Sequence, residues 1–188
     1  VGAYEIGTYN AYNPIRVPLR HLNVPQVAYN LYRLDAEQTT HLLSNYEAWR
    51  TFTGDPATRI KEDQLELANT QNQEAIHMLE MGDLAPGLYY LTVEQAASTD
   101  AATVDSNDND SLYDRQILVV TPYALTIKRS AESLFVWAVD LASGEPVANL
   151  PLNLSMSSYA NEAFAIETSS TGTTNQQGIA TTPLNSED

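Results

Sequence analysis

The chain has 188 residues, of which 43% are apolar, and this size and composition indicate one large or two smaller globular domains rather than a disordered protein. Its 24 acidic and nine basic residues give a net charge of −15, which argues against nucleic acid as a partner because the phosphates would be repelled. The absence of Cys excludes disulfides and thiolate metal sites, and without an apolar run of about 18 residues we expect no membrane insertion.

Two strands are predicted in the first part of the chain. Residues 16–22 alternate weakly, with Val17 and Leu19 on the inward face. Pro18 favours an edge position for this strand, because proline cannot donate a ladder hydrogen bond. Residues 27–34 form a more regular strand pattern. Because the chain starts without Met and without the features of a signal peptide, we expect a segment of a longer protein.

A helix is predicted over residues 35–52. Asp35 can cap its start, and Gln38 lies three residues later, in the capping-box position. Gly54 and Pro56 then stop it. Its apolar stripe predicts that four side chains are buried against strands of the first domain: Leu42, Leu43, Tyr46 and Trp49.

The middle of the chain reads as further strands joined by turns and a polar loop. A tyrosine, Tyr89, directly follows the turn Ala85-Pro86-Gly87, and such a tyrosine often bonds back to the backbone in Ig-like sandwiches. The polar, acidic loop 95–111 separates two segments that we expect to pair. The predicted strands are 64–67, 76–81, 88–94 and 113–120.

A change of domain is predicted near Thr121-Pro122, which gives domains over 1–122 and 123–188. Alternating runs follow this point. In the first run, Tyr123, Leu125 and Ile127 share one face. In the second, we expect the large residues Phe135, Trp137, Val139 and Leu141 to form a half-buried face. The strand-like runs after the boundary are 123–129, 134–141, 152–156, 163–167 and 179–184.

The pattern as a whole predicts a mostly β protein with two tandem Ig-like β-sandwich domains, the first carrying the helix. An Ig-like sandwich needs about seven strands and roughly 100 residues, so the second domain is expected to be truncated. An open sheet edge would follow. We expect it to pair with a neighbouring chain, or the stretch past Met156 to be disordered.

Candidate catalytic or metal-binding residues are few. The three histidines, His21, His41 and His77, lack the H-E-x-x-H spacing of a zinc helix, and ordinary surface or core roles are favoured for them. Trp49 and Trp137 each belong to an apolar stripe, which favours core packing over ligand stacking. No G-x-S-x-G, P-loop or G-x-G-x-x-G motif is present. We therefore expect no enzyme activity, and no catalytic, cofactor-binding or metal-binding residue is named.

The acidic loop is the best metal candidate. The run from Asp105 through Asn107 and Asp108 to Asp110 offers oxygen ligands at alternate positions. However, Asp110 stands where an EF-hand has Gly, and Gln116 stands where it has a bidentate Glu. A solvated hairpin loop is therefore favoured over a calcium site.

Three blocks of the sequence, in this order, resemble bacterial alpha-2-macroglobulins. The segment 31–52, LYRLDAEQTTHLLSNYEAWRTF, resembles the domain that precedes a macroglobulin-like domain, as does the L-x-P-G-x-Y block at 84–89. The run from VVT through KRS to DLASGEPVA, within 119–148, resembles the start of a macroglobulin-like domain. A T-x-x-x-G-x-A block at 174–180 follows, with Asn175 where Asp is common. The resemblance extends over residues 17–184.

The resemblance implies a non-catalytic scaffold segment of an exported or envelope-anchored protease inhibitor, located outside the cell, in the periplasm or on the cell envelope. Its partners would be neighbouring domains of the same polypeptide and, for the whole protein, target proteases that cleave a bait segment. Many members carry a thioester, which this chain lacks because it has no Cys. Two alternatives stay open, an Ig-like cell-surface adhesion module and an accessory β domain of a secreted carbohydrate-active enzyme.

Overall fold

A computed structural model of the chain describes residues 6–68, 71–96, 113–130, 132–160 and 163–183. These residues form mostly β structure, as the sequence predicted, together with two short α-helices. Grouping by contacts divides the chain into two compact units. The first contains residues 1–43 and 48–120, and the second contains 44–47 and 121–188. The domain limits 1–122 and 123–188 stay a prediction.

The first unit contains every strand that the sequence predicted for it, and an additional one at its beginning. Its strands are β1 Ile6–Asn10, β2 Ile15–Leu22, β3 Gln26–Leu34, β4 Arg59–Glu66, β5 Glu74–Gly82, β6 Gly87–Gln95 and β7 Tyr113–Thr121. Two helices lie mostly in this unit, α1 Ala36–Ser44 and α2 Tyr46–Thr51, although residues 44–47 are grouped with the second unit. A 3-10 turn at Pro56–Thr58 follows them.

Two sheets pack face to face in this unit. The larger has the order β1-β7-β6-β3-β4, and the smaller contains β2 and β5. Their inner faces share one hydrophobic core. Val17 and Leu19 of β2 lie in it, as predicted, and Leu79 of β5 joins them. Opposite them lie Leu31 of β3 and Leu91 of β6. The prediction of a β-sandwich is confirmed for this unit.

The second face of the five-stranded sheet is covered by the two helices. A separate hydrophobic cluster joins Leu42 of α1 and Trp49 of α2 to Tyr32, Tyr90 and Ile117 of the sheet. Because side chains alternate along a strand, neighbouring residues of β3, β6 and β7 contribute to different layers. The first unit therefore has three layers, namely the small sheet, the large sheet and the helices.

The helical segment starts as predicted but is interrupted. The backbone N–H of Gln38 donates to Asp35 Oδ1 at 2.7 Å, and the N–H of Asp35 donates to Gln38 Oε1 at 3.1 Å, so the capping box is formed. The helix then stops at Ser44 and a new one starts at Tyr46.

The interruption changes which side chains are buried. Leu42 and Trp49 are buried and Leu43 is half-buried, but Tyr46 is 55% exposed. The prediction for Tyr46 was wrong because a stripe at i, i+4 and i+7 requires one continuous helix. The break at Asn45 changes the phase of the residues that follow it.

The predicted corner tyrosine is present. Tyr89 is buried, and its hydroxyl donates to the carbonyl oxygen of Ala85 at 2.6 Å. The guanidinium of Arg33 lies 5.7 Å from the centre of its ring. The bond ties the turn before β6 to the first residues of that strand.

The second unit contains the five strands that the sequence predicted. They are β8 Tyr123–Arg129, β9 Ser133–Asp140, β10 Pro151–Ala160, β11 Ala163–Thr173 and β12 Ile179–Pro183. They form a sheet of order β12-β9-β8 and a hairpin of β10 and β11. The expectation of disorder past Met156 is therefore wrong for the described residues. The truncation of this domain and its pairing with a neighbouring chain stay predictions.

The buried face of β9 is opposite to the predicted one. Val136 and Ala138 are buried, whereas Trp137 is 41% exposed. The inner face here carries small side chains, including Ala180 of β12, which lies opposite Val136. Predicting the buried face of β9 from the size of its side chains was therefore wrong, because the inner face holds Val and Ala rather than Trp.

A close backbone approach lies beside this strand. Gly178 has a φ of +73°, and a Cβ at this position would clash with the carbonyl oxygen of Ala138. Its own carbonyl accepts a hydrogen bond from the N–H of Ala138 at 2.8 Å. Thr174, also buried, donates its hydroxyl to the carbonyl of Val147 and accepts from the N–H of Leu150. The T-x-x-x-G-x-A block thus joins three segments of the unit.

Replacing Tyr89 by Phe removes one hydrogen bond and leaves the carbonyl of Ala85 without this donor. We expect a loss of about 1 to 2 kcal/mol in the free energy of unfolding, measured by urea unfolding. Tyr46→Phe is the control, because an exposed site changes stability by less than about 0.5 kcal/mol. Equal stabilities for the two variants would contradict a structural role of the corner.

Gly178→Ala and Gly144→Ala separate backbone strain from steric conflict. Both glycines have a φ of +73°, but a Cβ at Gly144 would meet nothing within 4 Å. We expect a loss of about 1 to 2 kcal/mol at Gly144. The conflict with Ala138 adds about 1 to 3 kcal/mol at Gly178. Thermal unfolding of both variants measures the difference, and similar losses would show that the approach to Ala138 is unimportant.

Candidate functional site

The structure brings two of the three histidines onto one face. His21 lies opposite Ala75 and His77 lies opposite Leu19, so the two histidines are diagonal neighbours on the inner side of β2 and β5. The sequence interpretation treated them as scattered, because strand register is not visible in a spacing of 56 residues. His41 lies apart from them, on the exposed side of α1.

His21 is the unusual member of this pair. It is only 8% exposed, and its buried Nδ1 has no hydrogen-bond partner among the residues that the structure describes. It borders an open groove of about 390 Å³ at one end of the sandwich. The groove has apolar residues, among them Val27 and Val93. It also has charges of both signs, from Arg20, Glu94 and Asp114. Such a mixed lining does not select an anion or a cation.

A metal site is not formed by the part of the chain that the structure describes. No three His, Asp or Glu side chains there are grouped so that they could hold an ion. The calcium candidate from Asp105 to Asp110 lies outside the described residues. Gln116, its last position, belongs to β7 and accepts a hydrogen bond from the hydroxyl of Tyr9 at 3.3 Å.

The two tryptophans have different environments. Trp49 is buried in the helical layer and meets the ring of Tyr90 edge to face, with 5.8 Å between the ring centres. Its predicted core role is confirmed. Trp137 is exposed on the outer side of β9, so the same prediction was wrong for it.

A clamp at the end of α2 was missed by the sequence interpretation. Arg115 of β7 donates from Nη1 to the carbonyl oxygens of Trp49 at 2.6 Å and Arg50 at 2.7 Å. The hydroxyl of Tyr90 donates to the carbonyl of Phe52 at 2.8 Å. The last carbonyls of a helix have no partner within the helix, and a cation there is favourable. Sixty-five residues separate Arg115 from Arg50, so no local signal predicts the contact.

One tyrosine has a strongly shifted pKa. Burial, followed by the hydrogen bond to Asp63 and the negative charge of Asp63, raises the pKa of Tyr29 from 10.0 to about 12. The hydroxyl donates to Asp63 Oδ2 at 3.1 Å, and Lys61 Nζ lies 5.6 Å from the centre of the ring. The pair joins β3 to β4 and serves packing rather than proton transfer at neutral pH.

A search for membrane-spanning helices among the described residues found none that is long and apolar enough.

Comparison of the sequence with protein-family models found no match, and comparison with characterised proteins found none either. Solved structures do match. The structure of native alpha-2-macroglobulin from Escherichia coli spanning domains NIE-MG1 aligns with a TM-score of 0.64 and 17% identity, over 95% of this chain and 85% of that one. The chain has the fold of this NIE-MG1 segment.

A longer fragment of the same Escherichia coli protein, spanning domains MG0-NIE-MG1, aligns with a TM-score of 0.61 and 17% identity over 90% of this chain. The chain spans about half of that fragment, 52% of its length. Both alignments extend over the two compact units. The likeness is one of fold, since 17% identity leaves side-chain roles undetermined. The absence of catalytic, cofactor-binding and metal-binding residues stays a prediction.

Titration of Tyr29 should be visible in the stability of the protein. The pKa of Tyr29 is raised in the folded state. Its contribution to the free energy of unfolding is therefore fully present below about pH 10 and is lost as the pH rises through about 12. We expect Tyr29→Phe to remove this part of the alkaline loss. Urea unfolding of both proteins across this pH range measures it. If the free energy of unfolding of the variant fell with pH as steeply as that of the original protein, the role of Tyr29 in the alkaline loss would be contradicted.

Proposed function

We propose that the chain is a non-catalytic scaffold segment of a bacterial alpha-2-macroglobulin-like protease inhibitor. The observation that carries this proposal is the alignment to the NIE-MG1 structure over 95% of the chain. The three sequence blocks support it independently, because they occur in the order of the two domains. By this order, residues 1–122 would be the NIE-like domain and residues 123–188 part of the MG1-like domain.

The contacts of the first unit suit a scaffold role. A segment that transmits a rearrangement must move as a rigid body, and rigidity requires that its layers do not slide. The large sheet is fixed to the helices by side chains of its two central strands, Arg115 and Tyr90, which bond to carbonyls at the end of α2. These bonds are directional, so they fix the helices on the sheet in a way that apolar contacts alone do not.

The proposal also covers the partners of the chain and its location. Its direct partners would be neighbouring domains of the same polypeptide, and the whole protein would trap proteases after cleavage of a bait segment, outside the cytoplasm. Neither the adhesion module nor the accessory domain of a carbohydrate-active enzyme is favoured by the structural likeness.

Protease trapping can be tested on the full-length protein that contains this segment, with trypsin as the probe. Small substrates can still reach the active site of a trapped protease, whereas large substrates cannot. We expect the trypsin–inhibitor mixture to hydrolyse a small chromogenic peptide while its activity on a large protein substrate falls at least tenfold. Equal loss on both substrates, or loss on neither, would overturn the proposed function.

A test of the scaffold role of this segment requires a variant in which cleavage of the bait segment is unaffected. Arg115→Met keeps an apolar stem in place of the first part of the side chain and removes the bonds to α2. We expect bait cleavage to continue, seen as fragments on a gel, while protection from the large substrate weakens severalfold. Arg129→Met, at an exposed position of β8, is the matched control. Full protection in the Arg115 variant would contradict the role.

A further inference from the structure

Within the described part of the chain, the small sheet of the first unit has one covered and one uncovered face. The inner face lies in the sandwich core. On the outer face, strand register forms four rows of opposing residues: Arg16 and Glu80, Pro18 and Met78, Arg20 and Ile76, Leu22 and Glu74. We call these eight residues the outer face. Its apolar members are strongly exposed, with Ile76 at 61%, Leu22 at 52% and Met78 at 41%.

The charges of the outer face are sorted by strand. Both cations, Arg16 and Arg20, lie on β2, and both anions, Glu74 and Glu80, lie on β5. They form two ion pairs within the chain, Arg16 with Glu80 and Arg20 with Glu74, each at 3.0 Å. The face is therefore neutral in a chain of net charge −15. Exposed apolar residues with a polar rim are typical of an interaction surface.

This arrangement is complementary to itself. If two copies meet through this face about a two-fold axis parallel to the strands, β2 of each copy lies over β5 of the other. Row then meets row, so that Arg16 faces Glu80 of the second copy and Pro18 faces its Met78. In the other two rows, Arg20 faces Ile76 and Leu22 faces Glu74, so that Arg20 lies one row away from Glu74 of the second copy. A two-fold axis perpendicular to the strands would instead place Glu80 over Glu74 and bring the two cationic strands together. The charges favour the first orientation and oppose the second.

We propose that the outer face is a self-association surface, which joins two copies of this chain through a two-fold interface. A second copy fits better than an unrelated partner, because the required pattern of one cationic and one anionic strand is present on the face itself. The remaining surface carries the net charge of −15, so two copies repel each other least at this neutral face.

The size of the face sets the strength of the association. Four rows on two strands span roughly 20 Å by 10 Å, which buries a few hundred Å² per copy. Stable interfaces bury at least about 1,000 Å² in total. The association is therefore weak and concentration-dependent.

The test uses the 188-residue chain in sedimentation equilibrium from about 10 µM to about 1 mM. We expect the mass to rise from that of a 20.7 kDa monomer towards the dimer. Ile76→Lys and Met78→Lys should each raise the Kd at least tenfold. Ile60→Lys is the control, because Ile60 is also an exposed strand residue, at 50%, on the separate strand β4. Circular dichroism checks that each variant is folded.

A charge exchange tests the orientation. Arg16→Glu and Glu80→Arg should each weaken the dimer severalfold, because each brings like charges together across the interface. Mixed in equal amounts, the two variants should associate again, since the carboxylate introduced in one copy would face the guanidinium introduced in the other. A folding defect would not be repaired by mixing. A monomer at about 1 mM, an unchanged dimer in Ile76→Lys and Met78→Lys, or no recovery on mixing would overturn the proposal.

Discussion

Double burial of strand β6 is the constraint on which the first unit depends. Every residue from Tyr89 to Val93 is buried, so both faces of the strand need cover and both edges need a partner strand. The neighbours β3 and β7 supply the edges, and the small sheet and the helices supply the cover. Tyr89 and Tyr90 point to opposite layers, and each hydroxyl reaches a backbone carbonyl. Without these acceptors, each buried hydroxyl group would lose its hydration without compensation.

The sequence predicted the features that neighbouring residues determine. The predictions failed for features that depend on contacts between distant segments. Strand periodicity, the capping box of Asp35 and the corner role of Tyr89 all depend on residues within four positions of each other, and all are present. The outward turn of Trp137 was not predictable. It accompanies the packing of Val136 against Leu152 and Ala180, which are distant from it in the sequence. The clamp of Arg115 on α2 is of the same kind, because its acceptors are carbonyls, which any residue type provides.

The candidate site shows the same division. No catalytic motif was found in the sequence, and the proposed scaffold function requires none. The features on which the proposals depend are faces and contacts that become visible only through strand register. His21 and His77 became neighbours through the pairing of β2 with β5, and the outer face arises from the same pairing. Composition gave the net charge of −15 but not its distribution. The sorting of Arg and Glu between two strands is visible only when the rows are aligned.

Stability does not account for the charges of the outer face. Exposed ion pairs such as Arg16 with Glu80 contribute only about 0 to 1 kcal/mol, and their side chains are 64% and 59% exposed. The four charges have a larger effect on selectivity, because they flank apolar rows that would otherwise adhere to any apolar surface. A partner must place anionic groups over β2 and cationic groups over β5. Otherwise the charged side chains of the outer face lose their hydration without compensation. The charges thus restrict an adhesive face to partners of one pattern and one orientation.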